Sequence, residues 1–226
     1  DLSPRVRDWW RGKKIAIIGP TAAGKNSFFN RLQGLPIPKE HVNTKAMEHV
    51  VSFTLRRELP DGKTFEIQVK RSTNVGGEQE QRERFWLDAC SGSDVIFYML
   101  TLDDLKRGRF RDGNRVHDDL LWLARHFGVM KSSPKVHFLV NKIDLELKKG
   151  ADYDSFTTEL KPLIEEFDET VGKVFGRFRQ RYTGISATSM LDDDIFNRSL
   201  VLILEAVYES VHRKKQPKAR VGSSAS

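Results

Sequence analysis

Apolar residues recur along this chain in three rhythms, and each predicts a different element. Short unbroken runs come first: KIAII at Lys14–Ile18, DVIFYMLT at Asp94–Thr101 and KVHFLV at Lys135–Val140. Runs of this length, bounded by glycine or polar turns, read as strands buried on both faces. Strict alternation is the second rhythm. It links Val51, Phe53 and Leu55 with Phe65, Ile67 and Val69 through a Pro60-Asp61-Gly62 turn, which predicts an antiparallel hairpin. Steps of three and four are the third. They run through Tyr153, Phe156, Leu160, Leu163, Phe167, Val171, Val174 and Phe178, and a shorter helix is read through Leu120, Leu121, Leu123 and Phe127. Each spacing predicts an amphipathic helix, the longer one broken or kinked at Pro162 and docked by its stripe on its own domain.

Weaker signals fill the gaps. Ser27–Gln33 reads as a helix stopped by Gly34, Pro36 and Pro38, and Glu78–Cys90 has helical character. A last strand at Tyr182–Ile185 and a last helix at Asn197–Val211 follow, and no internal repeat is visible. Strands alternating with helices predict an α/β fold: a mostly parallel six-stranded sheet with one antiparallel edge strand and helices on both faces. The expected domain spans residues 13–212, with an extension at 1–12 and a basic tail at 213–226 expected to be disordered.

Composition adjusts this picture modestly. A chain of 226 residues can bury a full core. The net charge of +7 is partly local to His212–Arg220. Such a tail can touch acidic lipid, although a solvated end is its commoner role, and no nucleic-acid partner is expected. Cys90 is the single cysteine, so an internal disulfide is excluded and a reducing cytoplasm is the natural expectation. The six histidines show no metal-ligand spacing. The chain opens on Asp1, so its original N-terminus is expected to be missing or processed. No signal-peptide pattern is visible, and the run Val95–Leu100 is too short to span a bilayer. Leu2, Val6, Trp9 and Trp10 among arginines leave two readings open: a short helix in peripheral contact with a membrane, or a helix packed on the domain itself.

The candidate chemistry begins at GPTAAGKNSF, Gly19–Phe28, between a predicted strand and a predicted helix. Gly19 and Gly24 permit backbone conformations that aim several N–H groups at one point, and the helix that follows places its positive end there. Lys25 would reach the β- and γ-phosphates of a bound nucleotide. Asn26 stands where the pattern G-x-x-x-x-G-K-[ST] calls for a hydroxyl. The second signal is Asn141-Lys142-Ile143-Asp144, directly after a predicted strand. The Asp144 carboxylate can accept from both the N1–H and the exocyclic amine of guanine, which adenine cannot offer. Ser186-Ala187-Thr188 follows the last predicted strand, where a backbone N–H could meet the guanine O6. Asn74-Val75-Gly76-Gly77-Glu78 closes the third strand, at the place of a γ-phosphate sensor.

Taken together and in this order, these motifs resemble a small GTPase of the Ras superfamily over about residues 13–212. Gly76-Gly77 and the following Arg82, Phe85 and Trp86 are most similar to the Arf-like branch. The resemblance implies a P-loop GTPase fold, a GTP/GDP site with Mg²⁺, and effector, exchange-factor and activating proteins as partners. It assigns Gly19, Thr21, Ala22, Ala23, Gly24, Lys25, Asn26 and Ser27 to the phosphate loop, and Thr44 to the first switch. Asn141, Lys142 and Asp144 fall at the base, with Ser186, Ala187 and Thr188 as their partner loop. Gly77, Glu78 and Lys25 take the catalytic positions, and Asn26, Thr44 and Asn74 the metal positions. The helical segment at 148–181 is long for such a domain.

The departures matter. Asn26 replaces the Ser or Thr that ligates Mg²⁺, which should weaken GTP binding more than GDP binding, because the metal bridges the β- and γ-phosphates. In the family, such a change resembles substitutions that make inactive, exchange-factor-trapping forms. Two origins stay open, an engineered change or a natural variant that binds nucleotide with little metal. Asn74 lacks the charge of the Asp it replaces. Glu78 stands in place of the Gln that positions water, so slow hydrolysis is expected. A non-hydrolysing scaffold with the same fold is the alternative.

Overall fold

The doubly apolar runs fold as neighbouring parallel strands. The protein is described here by a computed structural model over residues 2–37, 48–58, 64–74, 85–108, 110–111, 113–147 and 152–212; within the hairpin strands, the described side chains are Thr54, Leu55, Arg56, Thr64 and Glu66. Among these residues, β1 (Ile15–Ile18), β2 (Glu48–Glu58), β3 (Thr64–Asn74), β4 (Val95–Thr101), β5 (Lys135–Asn141) and β6 (Tyr182–Ala187) form one sheet in the order β2-β3-β1-β4-β5-β6. All neighbours are parallel except β2 and β3, which pair antiparallel at the edge with Phe53 opposite Val69 and Leu55 opposite Ile67.

Alternation along β4 shows why its run is unbroken. Ile96, Tyr98 and Leu100 enter one core, and Val95, Phe97 and Met99 enter the other. The first core is closed by α3 (Leu87–Ser91), α4 (Leu102–Arg107), α5 (Arg115–His126) and α7 (Lys161–Phe175). The second is closed by α1 (Pro4–Trp10), α2 (Lys25–Gln33) and α8 (Asp193–His212). A strand sandwiched between two helical layers has no face left for polar residues.

Local chemistry sets the helix ends. Gly34 ends α2 in a left-handed conformation at φ 71°, its N–H donating to Arg31 O and Asn30 O. α2 begins at Lys25, two residues before the predicted Ser27, because left-handed Gly24 caps it. Thr101 and Asp104 form a reciprocal capping box that starts α4, a helix too short for any periodicity to reveal. The long amphipathic stretch is broken, as expected. α6 (Tyr153–Glu159) stops at Leu160, and α7 resumes with Pro162 in its first turn, where the missing N–H removes no helical bond. Phe167, Val171 and Phe175 of α7 are fully buried in the domain's own core.

Three sequence expectations need correction. β6 runs to Ala187, beyond the predicted Ile185, because Val140 continues its ladder opposite Ala187. α8 starts at Asp193 rather than Asn197 and ends at His212. The α1 segment, outside the expected 13–212 span, packs on the second core. Leu2, Val6 and Trp10 repeat at steps of four and are buried, Trp10 completely, with its indole N–H donating to Leu204 O of α8 at 3.1 Å. Trp10 also stacks on Phe97 of β4, and Trp9 lies half-buried against Tyr208. The apolar face of α1 is therefore part of the second core. No helix among the described residues is long and apolar enough to cross a membrane. The predicted turn at Pro60-Asp61-Gly62 and the tail at 213–226 lie outside the described residues.

Candidate functional site

The carboxyl edge of the sheet collects the loops after β1, β4, β5 and β6, and the candidate site is built there. At the end of β1 the chain turns through Gly19 at φ 138°. A Cβ on Gly19 would sit 2.1 Å from the Met99 carbonyl oxygen of β4, and one on Gly24 would sit 2.1 Å from the Asn141 amide nitrogen. Both glycines are thus required twice over, by backbone angle and by space. Between them Ala22 is held left-handed at φ 62°. This path curls the backbone ahead of the N-terminus of α2, where unpaired N–H groups and the helix dipole favour an anion.

Lys25 opens α2 and folds back over the loop, its Nζ donating to Gly19 O at 3.0 Å and Pro20 O at 2.7 Å. Burial, followed by the nearby positive charge of Arg115 and opposed by Asp119, lowers its pKa to about 8. A cation kept dry and near another cation is unsatisfied in a way that a polyphosphate would relieve. Ala23 is buried, Thr21 and Ala22 are exposed, and Asn26 and Ser27 are half-buried on the first turn of α2.

The second half of the site is held by side chains. Asn141, the last residue of β5 and 3% exposed, donates from Nδ2 to Ala23 O of the phosphate loop at 2.9 Å. Its Oδ1 accepts from the Met190 N–H at 3.2 Å. One amide therefore fastens the Gly19–Gly24 loop, β5 and the segment after β6 to each other. Lys142 follows in a left-handed conformation at φ 67° and starts a single 3-10 turn, Ile143–Leu145. This presents Asp144, whose Oδ1 accepts from Ser189 Oγ at 2.5 Å. Ser189 Oγ in turn accepts from the N–H groups of Leu191 and Asp192, both at 3.2 Å. Leu145 and Leu191, beside this cluster, are 73% and 69% exposed.

The Ser186-Ala187-Thr188 expectation is therefore three residues early. Ser186 and Ala187 lie inside β6, with Ser186 Oγ 2.9 Å from Nε2 of buried His137 and Ala187 O accepting from the Tyr153 hydroxyl at 2.8 Å. The other ring nitrogen of His137 is 2.8 Å from Thr183 Oγ1, and burial depresses its pKa to about 3, so the ring is a neutral link between β5 and β6. Thr188 continues the ladder through its N–H to Val140 O and joins Ser199 of α8 by its hydroxyl. The residues brought to Asn141 and Asp144 are Ser189 and Met190. A hydroxyl residue followed by the exposed polar run Asp192–Asp194 at the entry to α8 is the sequence signal for that turn.

Arg115, Asp119 and Tyr98 also belong to this edge, and no motif announces them. Tyr98 donates to Asp119 Oδ2 at 2.8 Å, and Arg115 Nε donates to both Asp119 oxygens at 2.9 and 3.0 Å. Of the remaining predicted positions, Thr44, Gly77 and Glu78 lie outside the described residues. Asn74 is the last residue of β3, its backbone opposite Ile17 of β1. Among the described residues, no group of three His, Cys, Asp or Glu side chains could hold a metal ion.

The arrangement can cradle a polyanion on backbone N–H groups and a lysine, with the Asp144 carboxylate and the exposed Leu145 and Leu191 on the neighbouring loops. No family model and no curated protein matches the chain. The functional reading rests on this geometry and on the motifs that compose it.

Proposed function

We propose that the chain is a guanine-nucleotide-binding regulatory switch with the P-loop GTPase fold, similar in kind to the Ras superfamily and to its Arf-like branch. The observation that carries this reading is the pair of hydrogen bonds at Asn141, whose Nδ2 donates to Ala23 O and whose Oδ1 accepts from the Met190 N–H. These bonds tie the Gly19–Lys25 loop to the strand end that leads to Asp144, which supports a ligand that reaches both. The close packing of Gly19 on the Met99 carbonyl and of Gly24 on the Asn141 amide supports the same reading, since it keeps the loop in one tight turn ahead of α2.

In this reading the N–H groups of Gly19–Asn26 hold phosphate oxygens and Lys25 exchanges its loop carbonyls for them. Asp144 accepts from guanine, the Ser189–Met190 turn borders the base, and Leu145 and Leu191 cover its faces. Mg²⁺, when bound with the nucleotide, neutralises phosphate charge. From this chain Asn26 offers it an amide oxygen at best, with Thr44 and Asn74 as further candidates. That favours GDP over GTP. Glu78 would place a negative charge near the reacting phosphate, so hydrolysis is slow and depends on a partner protein. These same three departures, Asn26, Asn74 and Glu78, favour a second reading, a non-hydrolysing scaffold that binds nucleotide without turnover. Peripheral membrane contact, if made, involves surfaces other than the buried face of α1.

The base contact provides the test. The unaltered protein is expected to bind GDP and to reject ADP. Asp144→Asn, which exchanges an acceptor for a donor, should weaken GDP on the order of 10⁴-fold and favour xanthosine diphosphate. Titration calorimetry with the three nucleotides reads this directly, and equal binding of ADP and GDP by the unaltered protein would overturn the reading. Single-turnover GTP hydrolysis then separates switch from scaffold.

A further inference from the structure

The phosphate end carries a second cation that the nucleotide motifs leave without a role. Arg115 is the first residue of α5, a helix entered from the carboxyl edge after β4 and α4 and capped by Asn114 through the Val116 and His117 N–H groups. Asp119 lies one turn further in, its side chain fully buried, and it grips Arg115 through Nε. Tyr98 braces Asp119 from β4. In the β1–β4 register Tyr98 stands opposite Ile18, the residue immediately before Gly19. The Arg115–Asp119–Tyr98 group is therefore seated beside the root of the phosphate loop.

The Asp119 carboxylate is fully buried while the Arg115 side chain is 34% exposed, so desolvation of the carboxylate offsets much of the attraction and the pair adds little net stability. Its consequence here is orientational: a carboxylate fixed by a phenol fixes the guanidinium. The positive charge of Arg115 is felt at Lys25, where it adds to burial in lowering the lysine pKa, and Asp119 opposes it. Two cations whose charges act on the same loop are an arrangement suited to a multiply charged anion, and a planar guanidinium is well matched to phosphate oxygens.

We propose that Arg115, positioned by Asp119 and Tyr98, is a phosphate-site cation that favours a triphosphate over a diphosphate. This rests on the guanine-nucleotide reading above. It gives the site a counterweight to Asn26, since charge missing at the metal is partly supplied by a fixed arginine.

The test compares equilibrium affinities for GDP and for the slowly hydrolysed analogue GTPγS, so that the readout is independent of turnover. Arg115→Lys keeps the charge without the fork. Arg115→Met combined with Asp119→Asn removes both charges and leaves no orphaned carboxylate, with thermal melting to confirm folding. The double variant should lose about tenfold or more for GTPγS, the value of one charged hydrogen bond, with GDP changed less than about twofold on the same scale. Arg115→Lys should fall between. Equal losses for both ligands, or no loss for either, would overturn the role of Arg115 while leaving the nucleotide reading intact. Absence of any guanine-nucleotide binding by the unaltered protein would instead overturn the reading itself.

Discussion

The two ends of the candidate site are made from different materials. The end proposed to hold phosphate is a backbone object: Gly19, Ala22 and Gly24 have positive φ, and the proposed donors are peptide N–H groups plus one lysine. The base end is a side-chain object, in which Asn141, Asp144 and Ser189 bond to one another and to the loop. A backbone cradle fails through geometry, whereas a side-chain lattice fails through lost partners. The ends meet where Asn141 packs against Gly24, so a substitution there tests whether they act as one frame.

The largest effect should come from the backbone end. Gly19→Ala sets a methyl against the Met99 carbonyl of a central strand, which cannot move without disturbing its pairing with β1 and β5. Stability should fall by about 3 kcal/mol or more, through clash and positive φ together. Gly24→Ala meets a side-chain amide instead, so the fold should lose less while Asn141 is pushed off Ala23. Chemical denaturation of the two variants, with nucleotide affinity measured alongside, distinguishes them. If Gly24→Ala left nucleotide affinity unchanged, the two ends would not be mechanically joined.

How much of this could be read from the chain alone depends on the same distinction. Backbone devices have sequence signatures, because glycine spacing after an apolar run has few uses. Gly34 and Pro162 were equally legible as breaks. Side-chain lattices are read less well. Ser186-Ala187-Thr188 matched the motif by residue type, but Ser186 is bound to His137 inside β6, and the lattice takes Ser189. Whether a strand ends at Ile185 or Ala187 depends on its neighbour β5, which local pattern does not contain. The burial of Leu2, Val6 and Trp10 follows a spacing of four, yet the same stripe serves a membrane or a core, and α8 decides it. Nothing in the local sequence marks Asp119 as buried; its partner Tyr98 comes from β4, distant in the chain.

A smaller effect sharpens the contrast through pH. In the folded chain Lys25 has a pKa of about 8, lowered from 10.5, chiefly by burial and then by Arg115. The unfolded chain therefore holds a proton that the folded chain has lost between pH 8 and 10.5. Stability should rise with pH across that window, by on the order of 3 kcal/mol if Lys25 acted alone, and its contribution should be flat below pH 8. Denaturation from pH 7 to 10.5 in the absence of nucleotide measures the slope, and Lys25→Met should flatten it. A bound polyphosphate raises the lysine pKa again, so the liganded protein should take up a proton and show a weaker rise. A slope that Lys25→Met leaves unchanged would assign it to other groups and leave the phosphate end without its titrating cation.

The smallest expected effect separates the two requirements that Gly19 meets at once. Ala22 shares its positive φ, at 62°, but its side chain is exposed. Replacing it with glycine removes the left-handed cost of roughly 1 kcal/mol and adds back somewhat less in unfolded-chain freedom, roughly 0.4–1 kcal/mol. Ala22→Gly should therefore raise stability by about 0.5 kcal/mol or less, within reach of careful denaturant titration. The base end has the matching position in Lys142 at φ 67°, where glycine would bring similar backbone relief but delete a side chain beside Asp144. Should Ala22→Gly be strongly destabilising, the loop would depend on that methyl for its shape, and the phosphate end would no longer be a purely backbone device.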